Sequence, residues 1–371
     1  MTKLSIPYGK KMREFSLPNG WAADIIEPKA ITPLQNPREA VEAELRGLKS
    51  QYSASPNRRR AAIAINDKTR PVPHTLLLPV LLDWLLDCGY HREEITLIIA
   101  TGAHAPMTPD EFTMIVSKDM TRQWKIVSHD AFDEQNLVDL GMTSMGTPCR
   151  VNAAFAEADL KIVVGNIEPH QFMGYSGGAK SAAIGLASAE TIRANHSMLS
   201  REGTGPCRYE DNPIRQDVEE LGRLIGVDLA LNVVLDESKD IVGVFAGDPV
   251  SVMKRGIALA NEQFVIPVDA PADLVIASPG GFPKDINLYQ AQKALRHGAR
   301  AASHNAPVII AAACSEGVGS EGYQTWMKDI ADFAEVRRRF GIEEFRLGPH
   351  KAMLFAVDAE HRDIYLVSDI P

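Results

Sequence analysis

The chain has no basic run longer than Arg58-Arg59-Arg60, and its 39 Lys and Arg are outnumbered by 48 Asp and Glu, a formal net charge of −9. Gripping a phosphate backbone needs a positive field, so DNA or RNA is excluded as the main partner. Cysteine is scarce too. Cys88, Cys149, Cys207 and Cys314 stand far apart with no Cys-x-x-Cys, which speaks against a zinc ribbon or disulfide scaffold and fits a reducing cytoplasm. No stretch comes near the roughly eighteen apolar residues of a membrane span, and the first residues carry no apolar signal region. The expectation is a soluble cytoplasmic protein with no membrane partner. Internal repeats and low-complexity tracts are absent as well. No G-x-G-x-x-G follows an apolar run with an acid about twenty residues on, which disfavours a nicotinamide-dependent dehydrogenase.

What the chain does contain is a series of short apolar runs, each ending in a polar loop. Residues 61–66, 95–100 and 160–165 form one set, and 272–277 with 306–311 a second. Helices are expected at 37–48, 74–87, 214–224, 249–263 and 288–303, and one opens at Thr108, with Glu111 placed to complete a capping box. Strands are expected at 229–235 and 241–246, and the runs 351–357 and 363–368 are read as closing strands. Continuous apolar strands alternating with helices indicate parallel sheets covered on both faces. The fold class is therefore α/β in two domains, 1–266 and 267–371, each with a largely parallel sheet covered by helices. The 371 residues suffice for both cores. The active site is expected in the cleft between them, and in such sheets ligands sit at the carboxyl ends of the strands.

Three groups of residues at those ends can carry chemistry. The first is Gly174-Tyr-Ser-Gly-Gly-Ala-Lys-Ser181, which nearly matches a phosphate-binding loop but has Ala179 where the last glycine is required. With no strand ending in a magnesium-holding aspartate, a nucleoside triphosphatase is not supported. Lys180 then remains a candidate cofactor anchor after a glycine turn. The second group is histidine. Among 10, His91, His297, His350 and His361 sit beside charged neighbours and read as surface. His104, His170 and His196 lie in or just after loops at strand ends, and no pair has the i, i+4 spacing of a helical zinc site. The third group is cationic and polar. Asp67-Lys68-Thr69-Arg70 forms a proline-bounded loop, and Gln290 and Lys293 share a helix face. Arg70 offers a planar fork to a carboxylate and Lys293 a second positive point, whereas Lys68 and Lys284, taken alone, read as solvated.

These motifs, taken in order, resemble the lactate racemase family that uses a nickel-pincer nucleotide. The match runs through Asp67-Lys-Thr-Arg-Pro71, Thr101-Gly-Ala-His104, Pro169-His170, Ser176-Gly-Gly-Ala-Lys180 and Asn195-His196. It continues through Gly280-Gly-x-Pro-Lys-Asp-x-Asn287, Tyr289-Gln290-x-x-Lys293 and Cys314-x-Glu-Gly-x-Gly319. The resemblance implies a racemase or epimerase of a lactate-like 2-hydroxy carboxylate. Its cofactor would be nickel pyridinium-3,5-bisthiocarboxylate mononucleotide, with cofactor-synthesis enzymes as partners. It implies that Lys180 carries the cofactor covalently and that His196 ligates the nickel. Asp67, Lys68, Thr69 and Arg70 would contact the cofactor, and Arg70, Gln290 and Lys293 the substrate. His104 and His170 would be the paired acid and base. The chain departs from the family where Ala103 and Ala105 flank His104, a change that reshapes the pocket, and at Ile184 and His304-Asn305.

The implied chemistry suits these residue types. An ionised carboxylate resists loss of the α-hydrogen as a proton. Loss as a hydride, while a base takes the hydroxyl proton, gives a 2-keto acid without a dianion. One base per enantiomer is then needed, and histidine titrates near working pH. The intact pair His104 and His170 argues against a non-catalytic cofactor-binding protein.

Overall fold

Strand Ala61–Asn66 has no polar face because it has no solvent face. It lies inside a six-stranded sheet ordered Ile241–Gly247, Leu229–Leu235, Leu160–Asn166, Ala61–Asn66, Ile95–Ala100, Lys125–Ser128. Pairing is parallel throughout except at Ile241–Gly247, which runs antiparallel to Leu229–Leu235. In the four inner strands nearly every residue is buried, as expected where helices cover both faces.

The computed structural model describes residues 2–343 and 348–370. The chain divides into two compact units, one spanning Pro28–Ile266 and the other made of Met1–Glu27 with Pro267–Pro371. The sheet above belongs to the first. Its covering helices start where the sequence supplies caps. Asn36 caps Pro37–Arg46, Ser188 caps Ala189–Ser197, Asn212 caps Pro213–Ile225 and Asp248 caps Pro249–Phe264. Each of these side chains accepts an N–H that the first turn leaves unpaired. At Thr108 the capping box with Glu111 forms as expected, although the segment Pro109–Met114 is 3-10 rather than α. Helix His74–Asp87 is apolar almost all round and sinks Leu77, Leu78, Leu81 and Leu85 into the core that also holds Ile63, Ile95 and Leu97 of the sheet.

The second unit has a three-stranded parallel sheet, Val275–Ala277, Val308–Ala311 and Ile364–Val367. Helix Leu288–Ala301 buries Ala291 and Leu295 in its core with Val308 and Ile310. Two expectations need correction. Residues 351–357, read as a strand, lie in the helix His350–Asp358. A short apolar run fits a buried strand and a buried helix equally well, and here Ala352 and Ala356 pack on Trp326 and Val336. Residues 1–27 also group with the second unit rather than with 28–266. The hairpin Thr2–Tyr8 and Lys11–Leu17 is held there by Gly9 N–H donating to Asp285 Oδ2 at 2.6 Å and Ser278 Oγ donating to Pro7 O at 2.6 Å. No local pattern announces bonds between residues so far apart in the chain.

Gly222 of helix Pro213–Ile225 marks a close approach. A Cβ there would stand 2.4 Å from Ala179 Cβ. Gly222→Ala should therefore destabilise by about 1–3 kcal/mol through overpacking, despite the ~1 kcal/mol of helix propensity gained. Urea unfolding checks this, and an unchanged or raised midpoint would show that the helix is free to move off the turn.

Candidate active site

The chain leaves Ala61–Asn66 toward Ile95–Ala100 on one side, and returns later to add Leu160–Asn166 on the other. The loops after these two adjacent strands consequently diverge from one point, the topological switch where open α/β sheets place ligands. Loop 67–73 follows the first strand and segment 167–179 the second, and the loop holding His104 follows Ile95–Ala100.

Asp67 is buried and fully engaged. Its Oδ1 accepts from Thr69 N (3.1 Å) and Thr69 Oγ1 (2.6 Å), while Oδ2 lies 2.8 Å from His104 Nδ1. Burial alone would raise the carboxyl, but the hydrogen bonds from His104 and Thr69 outweigh it and hold the pKa below its ordinary value. As a carboxylate Asp67 can only accept, so the proton sits on His104 Nδ1 and the lone pair on Nε2. The His104 loop is pinned in turn by Gly102, which has φ +56° and donates to Gly185 O at 2.9 Å. Arg70 is exposed, and Lys68 points away to an ion pair with Glu111.

Lys180 opens the short helix Lys180–Ala183 and is partly buried. Burial, then the charges of Arg70 and Arg215, push its ammonium down to about 7, against the opposing pull of Glu168. A large share of its amine is therefore free base at neutral pH. His196 is buried near the end of helix Ala189–Ser197. Burial, then the Lys180 charge, lower it to about 3, so its imidazole is neutral. Its Nδ1 is 3.2 Å from Asn195 Oδ1. The Asn195 amide nitrogen is already committed to Ile214 O (3.1 Å) and Asp217 Oδ2 (2.8 Å), so its oxygen faces the ring. The ring is also hydrogen-bonded to the Ile192 backbone, and with the proton on Nδ1 the lone pair of the neutral ring lies on Nε2.

His170 differs from His104. Its Nδ1 accepts the Met173 N–H at 3.2 Å, which places the proton of the neutral ring on Nε2. Phe172 touches both His170 and His196 in T-shaped contacts, with ring centroids 4.7 Å and 5.2 Å away.

The unit Pro28–Ile266 thus joins Asp67, Thr69 and His104 by hydrogen bonds, sets Arg70, Lys180 and His196 within electrostatic reach, and links His170 to His196 through Phe172. Gln290 and Lys293 belong to the other unit, on the helix that Asn287 caps through Gln290 N. There Lys351 is buried and donates to Gln292 Oε1 at 3.0 Å. Burial, then the charge of Lys293, lower its ammonium to about 7. His350, read as a surface residue, is buried against Tyr289. Sequence reasoning also missed Arg215, Asn232, Phe172 and His74. Arg215 and Glu219 have the i, i+4 spacing of a solvated helix pair, and nothing local betrays that they are buried.

Among the described residues no three His, Cys, Asp or Glu cluster as metal ligands. A metal at His196 would therefore need further donors from water or a bound group. A neutral, oriented imidazole beside a lysine amine that is nucleophilic at neutral pH fits a covalently attached, metal-bearing group.

Comparison with known proteins identifies the family. The family profile described as the lactate racemase N-terminal domain matches residues 8–205, and the one described as the lactate racemase C-terminal domain matches 268–344. The lactate racemase of Thermoanaerobacterium thermosaccharolyticum is 32% identical over 385 residues, covering 100% of this chain and 88% of that protein. That of Lactiplantibacillus plantarum is 33% identical over 313 residues, 83% of this chain and 73% of that one. The lactate racemase apoprotein structure from Thermoanaerobacterium thermosaccharolyticum superposes with a TM-score of 0.90 at 31% identity, covering 99% of this chain and 88% of the other. A Thermotoga maritima protein superposes with a TM-score of 0.68 over 92% and 90% of the two chains, and at 20% identity it shows the fold alone.

His74 lies behind Asp67, and its Nε2 accepts Asn66 N–H at 3.3 Å. Protonating Nε2 breaks that bond, and burial lowers the ring to about 4, with Asp67 opposing. The folded pKa is thus below the unfolded one. Stability from this residue is full above about pH 6.5 and is lost as pH falls toward 4. Between pH 7.5 and 5 His74→Phe should lose roughly 2 kcal/mol less unfolding free energy than the parent. Denaturant unfolding at both pH values measures it, and parallel losses in the two proteins would refute it.

Proposed function

This chain belongs to the lactate racemase family, whose members are isomerases, and from that premise we propose that it inverts the 2-carbon of a lactate-like 2-hydroxy acid using a nickel-pincer nucleotide. The observation that carries the proposal is the pairing of Lys180, an amine near neutrality at the end of a glycine turn, with His196, a neutral imidazole whose Nδ1 is committed to Asn195. Lys180 is the covalent anchor in this account and His196 Nε2 the one protein ligand of nickel. When bound, the group supplies an electrophilic carbon that can accept the α-hydrogen with its electron pair and return it to either face.

The protein's own residues do the rest. His104 takes the substrate hydroxyl proton at Nε2, and the carboxylate of Asp67 stabilises the imidazolium that forms, as in other carboxylate–histidine pairs. His170 serves the opposite enantiomer. Arg70 holds the substrate carboxylate through its guanidinium fork. Thr69 acts through Asp67, whose orientation its two bonds fix. None of the four cysteines is joined in a disulfide, which supports work in a reducing cytoplasm alongside the enzymes that make the cofactor.

The test is expression with nickel in a host that makes the cofactor, then chiral chromatography of lactate and longer 2-hydroxy acids. Racemisation is expected, with an added mass on Lys180. Lys180→Ala should carry no adduct. His104→Ala and His170→Ala should each keep the adduct and lose about 10²–10⁴-fold in kcat/KM. A nickel-loaded protein that inverts none of these acids sinks the function, and a histidine variant with full activity sinks the acid/base pairing.

A further inference from the structure

We propose that Arg215 is the positioning residue for Lys180, clamping the glycine turn that presents it. The proposal rests on Lys180 as the cofactor anchor. Arg215 has 0% relative exposure and projects from helix Pro213–Ile225 against the turn. Its Nη1 donates to Tyr175 O and to Gly177 O, each at 3.2 Å. Nε donates to Glu219 Oε1 at 2.8 Å, and Nη2 bonds the same oxygen. Glu219 is 4% exposed and also accepts from Tyr209 OH at 3.0 Å, while the Tyr209 ring centroid lies 5.2 Å from the guanidinium carbon.

Tyr175 and Gly177 flank Ser176 in a segment that is buried and belongs to no helix. Tyr175 pairs with Pro169, which has no N–H to donate, and Gly177 lies beyond that two-residue ladder, so the guanidinium is the donor that serves both carbonyls, and a buried carbonyl left unpaired is costly. A guanidinium can serve both carbonyls and Glu219 at once because its donors are fixed in one plane. An ammonium is a single point and cannot. Space is equally tight. A Cβ on Gly178 would meet Met253 Cγ at 2.6 Å and Arg215 Nη2 at 2.9 Å. The same helix start holds the preceding part of the segment, where Asn212 Nδ2 donates to Phe172 O at 2.7 Å. The backbone from Phe172 to Gly177 is thereby templated by one helix, and the position of Lys180 follows from that template. Misplacement by about 1 Å can cost on the order of 100-fold at a reacting centre.

The experiment compares Arg215→Lys with Glu219→Gln in full-length protein produced with nickel and the cofactor-synthesis enzymes. Circular dichroism reads folding, and peptide mass spectrometry reads the fraction of Lys180 carrying the adduct. Arg215→Lys keeps a charge for Glu219 but loses the fork, and should drop the adduct fraction at least about tenfold. Glu219→Gln weakens the ion pair but spares the two carbonyl bonds, and should keep most of it. Should Arg215→Lys fail to fold, Arg215→Gln in the Glu219→Gln background, which buries no charge, takes its place against Glu219→Gln alone. A wild-type adduct fraction in the Arg215 variant overturns the proposal. So does equal loss in Arg215→Lys and Glu219→Gln, which would reduce Arg215 to half of a buried ion pair. A parent protein with no adduct on Lys180 overturns the anchor itself, and the proposal with it.

Discussion

A backbone that runs through a protein interior outside long helices and strands must find a partner for every N–H and C=O it buries, and segment 167–179, whose ladder is limited to the two-residue pairing of Pro169–His170 with Gly174–Tyr175, is such a backbone. Phe172 through Ala179 are all buried. Ser176 Oγ donates to Asn166 O at 2.8 Å and accepts Glu168 N–H at 3.1 Å. Gly178 N–H donates to Asn232 Oδ1 at 2.7 Å, and Arg215 and Asn212 take the carbonyls. The cost of burying those groups explains why an asparagine stands in the middle of the apolar strand Leu229–Leu235 and why an arginine has no solvent contact. It also explains Gly177, whose φ is +85° and whose Cβ would lie 2.6 Å from Ile167 Cγ1.

The same loop collects positive charge. Arg70 and Arg215 lie within electrostatic reach of Lys180, opposed by Glu168, and Glu219 pairs with Arg215. Arg70 and Arg215 cannot lose their protons at neutral pH, so Lys180 yields, while burial is what chiefly keeps His196 neutral, helped by the Lys180 charge only where that amine is still protonated. An amine that is in large share free base and a neutral imidazole thus arise in one crowded cationic neighbourhood. The arrangement needs no histidine–carboxylate cluster of its own.

Much of this was legible in the sequence because it is local. Continuous apolar runs at 61–66, 95–100 and 160–165 became the inner strands, and the loops after them hold the candidate residues. Asp248-Pro249 and Thr108 with Glu111 started helical segments as their cap chemistry requires. What escaped was long-range or context-dependent. Residues 351–357 are apolar in either secondary structure, and tertiary packing chose the helix. The N-terminal hairpin joins the second unit through Asp285, which lies far along the chain. Lys68 matches the family motif by position, yet its ammonium pairs with Glu111. Arg215 and Glu219 follow a surface pattern in a buried place, and only the three-dimensional demand of two carbonyls distinguishes them.

The two catalytic candidates are chemically unequal in the protein as it stands. His104 donates its Nδ1 proton to the Asp67 carboxylate, which leaves the lone pair of the neutral ring on Nε2, whereas His170 spends Nδ1 on accepting Met173 N–H. To act as a base at Nε2, His170 must first give up that bond, at a net cost of about 1 kcal/mol. For a racemase this inequality cannot favour one enantiomer in kcat/KM. Enantiomers have equal free energies, so the ratio of the two specificity constants must equal an equilibrium constant of one. The inequality between Asp67-backed and Met173-backed rings can appear only in how each direction divides between kcat and KM. Binding to the His170 face should carry the cost of releasing Met173, and the His104 face should carry none. The asymmetry is thus compatible with inversion in both directions, and its place is the individual steps rather than the overall preference.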